Sequence, residues 1–194
     1  TDPLRFDPGT KQEYSNGGYI VLGKIIERVS GRSYHDYVSE HVFRPAGMVL
    51  TGYFSRDERG VNRAIPYTTA PKVAGDVSTG ATPLVERRAA TALLPYRGSS
   101  TGGGYSTAMD LLRLSQALTS HRLLNPALTD SLIDLRVGPL SLGGWTGGSE
   151  GANAVFYKHT TGHTLIVLSN YDPPSATVFG RKLWAEWLPA WVAH

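Results

Sequence analysis

Glu13-Tyr14-Ser15-Asn16-Gly17-Gly18-Tyr19 leads into a run in which Tyr19, Leu22, Ile25, Ile26 and Val29 recur three and four residues apart, the spacing of one face of an α-helix. Ser15 or Asn16 is a natural N-cap, and Gly17-Gly18 allows close backbone approach at the helix mouth. The spacing predicts a buried helix from about Gly17 to Val29, closed by Ser30-Gly31. Tyr14 and Asn16 then sit side by side at its amino end, a candidate base beside a candidate hydrogen-bonding group. The same residues also admit a purely structural reading, in which Asn16 caps and Tyr14 packs.

Outward from this stretch, Ser33 and Asp36 resemble a capping box for a second helix through about Phe43, with Pro45 and Gly47 ending it. The two helices are expected to form a hairpin over one core. Val49–Leu94 carries no sustained period and reads as a long irregular region, a type of loop often functional. Gly102-Gly103-Gly104 is expected to make a tight turn into a helix capped by Thr107 and Asp110, with Leu111, Leu114, Ser115 and Leu118 on one face. Asn125-Pro126 opens a shorter helix through Leu135.

The last third changes character. Val137–Trp145, Ala152–His159 and His163–Asn170 read as three strands of an antiparallel meander, with Gly147-Gly148 and Thr161-Gly162 as turn signals. A closing helix follows, with Val178, Phe179, Leu183, Trp184, Trp187, Leu188 and Trp191 on its aromatic side and Pro189 kinking or ending it. The fold class is thus α/β (α+β), an antiparallel sheet flanked by helices.

The 194 residues suffice for one core, and a single domain is the default. The net charge of +3 comes from scattered basic residues, which argues against a nucleic-acid partner. With no cysteine, disulfides and thiolate chemistry are excluded while the compartment stays open. No run approaches the roughly 18 apolar residues of a membrane span. The opening Thr1-Asp2-Pro3 is linker-like, so the amino end is expected to be cut from something longer.

Several short patterns carry little weight. The esterase pattern Gly-x-Ser-x-Gly occurs around Ser100 and around Ser149, yet neither serine has a strand before it and a helix after it, as a nucleophile elbow requires. His159 and His163 lack the helical setting and third ligand of a zinc site, so no metal is expected. The Gly102–Gly104 run is not followed by the Lys-Ser/Thr of a phosphate loop, and no cofactor is expected.

Taken in order, the segments resemble the serine hydrolases related to class C β-lactamases, with their DD-peptidases and β-lactamase-fold esterases. Tyr14-Ser15-Asn16 with Gly18-Tyr19, Leu22-Gly23, Ile26-Glu27 and Ser30-Gly31 is similar to that family's second motif region. Phe43–Met48 resembles the segment that follows there, and Gly102–Leu111 its Gly-Gly-x-x-Ser-Thr-x-x-Asp-Leu stretch. Gly144-Trp145-Thr146-Gly147-Gly148 stands in the place of its third motif, usually Lys- or His-Thr-Gly, and Asn170 closes the strand. The resemblance implies a β-lactamase/transpeptidase-like fold in which a Ser-x-x-Lys serine attacks a carbonyl to form an acyl-enzyme that water hydrolyses. Tyr14 would be the general base, its phenol pKa lowered by neighbouring ammonium groups. Asn16, Trp145, Thr146 and Gly147 would contact a small-molecule or peptide substrate, a main-chain N–H nearby completing an oxyanion hole.

Two departures shape the expectation. Trp145 replaces the usual Lys or His, which favours ester hydrolysis over strong β-lactam hydrolysis. No Ser-x-x-Lys occurs, because the five lysines Lys11, Lys24, Lys72, Lys158 and Lys182 follow Pro8, Val21, Thr69, Val155 and Phe179 at the serine position. The chain is therefore expected to be the C-terminal portion (1–194) of a single catalytic domain, incomplete on its N-terminal side and inactive alone. Such a piece would expose a sheet edge and apolar surface, covered either by a separate chain carrying the missing half or by self-association. The family likeness alone favours an extracytoplasmic location. The alternative reading is a non-catalytic module binding a peptide or peptidoglycan-like ligand. A third is an independent hydrolase using Ser100 with a downstream Asp and His163.

Overall fold

The computed structural model describes residues 3–58, 62–69, 86–133, 143–159 and 162–192. The first helix, α1, spans Asn16–Ser30. Ser15 is its N-cap, accepting from the Gly18 N–H at 3.1 Å, and Gly31 closes it in the left-handed region at φ 67°, a conformation that favours glycine. The capping-box expectation holds for α2 (Tyr34–Val38), where Ser33 accepts from the Asp36 N–H. Helical backbone does not stop before Pro45. A π-turn over Ser39–Phe43 leads into α3 (Arg44–Ala46), and Gly47 alone ends the run, at φ 73°. Pro45 is accommodated at the start of α3, directly after the π-turn.

The expected buried face of α1 is a second correction. Leu22, Ile25 and Val29 are 55%, 50% and 79% exposed. The side that packs carries Gly23, the helix's one buried residue. Ser100 and Tyr34 lie where a Gly23 side chain would go, so the helix docks through its missing Cβ rather than its apolar row.

The irregular region contributes two short strands, β1 (Tyr67–Thr68) and β2 (Arg88–Ala89), paired antiparallel. Residues 59–61 and 70–85 of that region lie outside the described residues. Helix α4 (Ala108–Thr119) begins at the expected Thr107 cap, which accepts from the Asp110 N–H. Helix α5 (Pro126–Ile133) follows, with the Asn125 side chain accepting from Leu128 N–H; its expected end at Leu135 is outside the described residues.

Strands β3 (Gly143–Ser149), β4 (Ala152–Lys158) and β5 (Thr164–Ser169) form the expected antiparallel meander in the order β3-β4-β5. Gly147 and Gly148 are not its turn. Both lie inside β3, opposite Ala154 and Asn153, and the reversal falls at Glu150-Gly151 with Gly151 at φ 71°. Strand β3 is described from Gly143, and residues 137–142 of the expected strand lie outside the described residues.

Helix α6 (Ser175–Val192) packs on β4 and β5 and runs past Pro189 without ending there. Its Trp184 meets Tyr157 edge-on at 6.0 Å between ring centroids. A core of Ala46, Met48 and Ala117, with Phe43, Leu111, Leu114 and Leu123 against it, joins α3 to α4. The mixed architecture matches the expected fold class.

Candidate active site

The cap that starts α1 also organises Tyr14 and Asn16. Ser15 adopts extended backbone and its side chain turns back onto the helix, which leaves the residues on either side free to present their own side chains. The Tyr14 hydroxyl donates to Asn16 Oδ1 at 2.8 Å, and its ring lies 5.7 Å from that of Tyr19. Tyr14 is 72% exposed. The expected pair therefore exists and faces outward. No ammonium group bonds the phenol among the described residues.

The second group of expected residues lies on β3, which ends the sheet among the described residues. Trp145 is 46% exposed and leans on Phe156, with 5.3 Å between ring centroids. Three glycines of this strand differ in why they are glycine. A Cβ on Gly144 would meet the Phe156 carbonyl oxygen at 2.5 Å, and one on Gly148 would meet Pro173 Cγ at 2.5 Å. A Cβ on Gly147 would meet nothing within 4 Å. Internal packing thus requires the first two, whereas Gly147 borders open space.

The backbone at this point has a defined direction. The Gly147 carbonyl accepts from Asn153 Nδ2 on β4 at 2.8 Å. In a trans peptide the N–H of the next residue points the opposite way, so the Gly148 N–H is aimed at the outer edge of β3, as the alternation of an antiparallel pair also requires. That N–H can donate to an acceptor laid along the strand. Gly148 closes the third-motif stretch without a role assigned to it there, and Asn153 lies outside that stretch. The two-residue reversal at Glu150-Gly151, which puts Ser149 opposite Ala152, is the signal that would have located them. The Tyr14–Asn16 pair and β3 are each well formed, and no hydrogen bond or ring contact joins them directly among the described residues.

Other serines are spoken for. Ser100 sits in the turn closed by Ser99 and Gly102 and packs over Gly23 of α1. Ser149 ends β3. Neither stands on a strand-to-helix elbow. Ser115 on α4 lies 3.1 Å from Lys158 Nζ and 3.0 Å from Thr164 Oγ1, an arrangement with the look of a Ser-Lys pair. Burial pushes the Lys158 pKa down. Ser115 itself is only 2% exposed, so the pair ties α4 to the sheet and is closed to a substrate. The backbones of His159 and His163 close the β4–β5 turn, and the His159 ring lies against Trp184.

The profile of the family described as Beta-lactamase matches residues 1–186. Penicillin-binding protein 4* of Bacillus subtilis (strain 168) is 33% identical over 131 residues, which cover 65% of this chain and 28% of that protein. Among solved structures, a penicillin binding protein from Bacillus halodurans superposes with a TM-score of 0.77 at 28% identity, over 93% of this chain and 58% of that one. The D-amino acid amidase of Ochrobactrum anthropi SV3, solved with D-phenylalanine, shares the fold at a TM-score of 0.70 and 24% identity, over 87% of this chain and 54% of that one. The chain thus spans little more than a quarter of the curated relative.

Proposed function

Since this chain belongs to the β-lactamase family, we propose that it is the C-terminal portion of a serine hydrolase that cleaves an ester or amide through an acyl-enzyme. The nucleophilic serine and its lysine come, on this reading, from a segment outside the 194 residues. Gly147 is the observation that carries the proposal. A glycine that packing does not need, on a strand edge unpaired among the described residues and beside an outward N–H, is what a strand that receives substrate backbone would have.

Each side chain then has a task. Tyr14, acting in its phenolate form, takes the proton of the attacking serine and returns it to the leaving group, contributing on the order of 10² to 10⁴ in rate. Asn16, already accepting from the phenol, orients it and offers its amide N–H₂ to a substrate carbonyl. The edge of β3 from Trp145 to Gly147 holds the substrate, and the Gly148 N–H supplies one oxyanion donor. Trp145 in place of a cation lowers the local positive charge, which favours esters or small amides over anionic β-lactams.

The test uses the protein with its nucleophile-bearing segment in place and a serine-directed fluorophosphonate. Tyr14→Phe is expected to slow acylation at least about 10²-fold, and Gly147→Ala to weaken substrate turnover while leaving the melting temperature unchanged. Labelling insensitive to both substitutions would sink the proposal. So would turnover of p-nitrophenyl esters by the 194 residues alone that disappears with Ser100→Ala. A well-folded protein that binds peptides but takes no acyl group would point to a non-catalytic module.

A further inference from the structure

The chain carries one buried side-chain amide with every polar atom committed to the strand or helix beside it. Asn153 is 5% exposed. Its Nδ2 donates to the Gly147 carbonyl at 2.8 Å, and its Oδ1 accepts from the Thr177 N–H at 2.9 Å and the Thr177 hydroxyl at 3.2 Å. Thr177 lies in the first turn of α6, where N–H groups lack intrahelical acceptors. One amide therefore spans from the first turn of a helix to a single peptide unit of the edge strand.

From this geometry we infer that Asn153 is a positioning residue that sets the direction of the Gly147–Gly148 peptide and hence of the Gly148 N–H. The inference rests on the reading of β3 as the substrate strand. Gly147 and Gly148 carry no side chains, so that peptide plane is held by the ladder, which pairs Gly147 with Ala154, and by the Asn153 amide on the same carbonyl. Glycine backbone is the most permissive in the chain, and a rotation of the plane would turn the donor away from an oxyanion. The amide on β4 adds a second restraint against that rotation. Its anchorage to α6 passes the rigidity of an 18-residue helix to the donor. Asn suits the position because a carboxamide offers a donor to one side and an acceptor to the other without titrating.

Asn153→Asp separates the two halves of the arrangement. The carboxylate keeps both acceptors for Thr177 but loses the donor to Gly147. Thr177→Val, the control, removes one hydroxyl from the helix side and leaves the strand side intact. In the protein with its nucleophile-bearing segment in place, Asn153→Asp is expected to lower the acylation rate constant for p-nitrophenyl acetate about 10- to 100-fold, with KM changed less than about threefold. The deficit should shrink as pH is lowered, because a protonated carboxyl can again donate to the Gly147 carbonyl. Thr177→Val should retain the wild-type rate. The Gly148 amide ¹H–¹⁵N resonance is a readout that needs no activity, and it is expected to move in Asn153→Asp but not in Thr177→Val.

An unmoved Gly148 resonance, or a wild-type rate in a folded Asn153→Asp protein, overturns the inference. If Asn153→Asp fails to fold, Asn153→Ser, too short to bridge both partners, takes its place with the same readouts. A Gly148 resonance that shifts in Asn153→Asp, together with a wild-type protein that acylates nothing, leaves the positioning role standing and removes the hydrolase reading instead.

Discussion

Asp172 shows how much one carboxylate organises beside the candidate site. Its oxygens accept from the Thr69 N–H and hydroxyl and from the Gly151 N–H. Partial burial alone would raise its pKa. The hydrogen bonds from the Thr69 and Gly151 N–H groups and from the Thr68 and Thr69 hydroxyls outweigh that and hold it at about 2, against an ordinary 3.8. A depressed folded-state pKa gives stability that is complete above the unfolded value and is lost as pH falls through the folded one. The window is therefore from about 4 down to about 2. The gap in melting temperature between wild type and Asp172→Asn should be constant above about pH 4 and close toward pH 2. A gap that persists unchanged to pH 2 would rule out the carboxylate as its source. At the same scale, Gly147 and Gly148 show what motif reading lacks. Glycine pairs usually mark turns, so the sequence alone places both in one. In the structure they lie within β3, opposite Ala154 and Asn153, and only the register distinguishes the two placements.

Among the elements, α4 depends on a carboxylate it buries completely. Asp110 accepts from the Leu50 N–H, the Thr51 hydroxyl and Arg113 Nη1. Desolvation by burial opposes its charge, yet the bonds from Thr51, Leu50 and Arg113 together lower its pKa. Asp110→Ala leaves the Leu50 N–H without its acceptor and detaches the 48–51 segment from α4. The expected loss is about 3 kcal/mol, read as a shift of the urea midpoint. A loss under about 1 kcal/mol would mean that water replaces the carboxylate freely. The caps at Ser15, Ser33, Thr107 and Asn125 were legible because each acts within four residues of sequence. So were the three strands of the meander, whose alternation is local. The segment around β1 was illegible for the opposite reason. Tyr67 is held by the Asn170 carbonyl, about a hundred residues away in sequence, and no local pattern announces such a partner.

For the whole molecule, the informative surface is the row Leu22, Ile25 and Val29 on α1, with Tyr19, Ile20 and Val21 also open. Periodicity identified the row and misjudged its setting, because an apolar stripe reports what a helix could bury and not what is present to bury it. A contiguous apolar face of this kind marks a contact surface. Light scattering on the 194 residues alone should therefore show a mass that rises with concentration, and Leu22→Lys with Val29→Lys should return it toward a monomer without loss of helix signal. A monomer at every concentration in the unsubstituted chain would count against a covering segment. The candidate site was thus legible in its parts, Tyr14, Asn16 and the strand at Trp145–Gly147. A joint arrangement was not, since no hydrogen bond or ring contact joins the two parts among the described residues.

The π-turn at Ser39–Phe43 has a consequence of its own. One surplus residue in a helical turn rotates everything after it by about 100°. Before the surplus, Tyr34 and His35 reach Tyr53 and the Gly98 carbonyl; Phe43, which closes the π-turn, stacks on the same Tyr53 and packs with Ala46 against Met48, Ala117 and the leucines of α4. A single near-continuous rod thereby ties an aromatic cluster to the α3–α4 core through one shared ring.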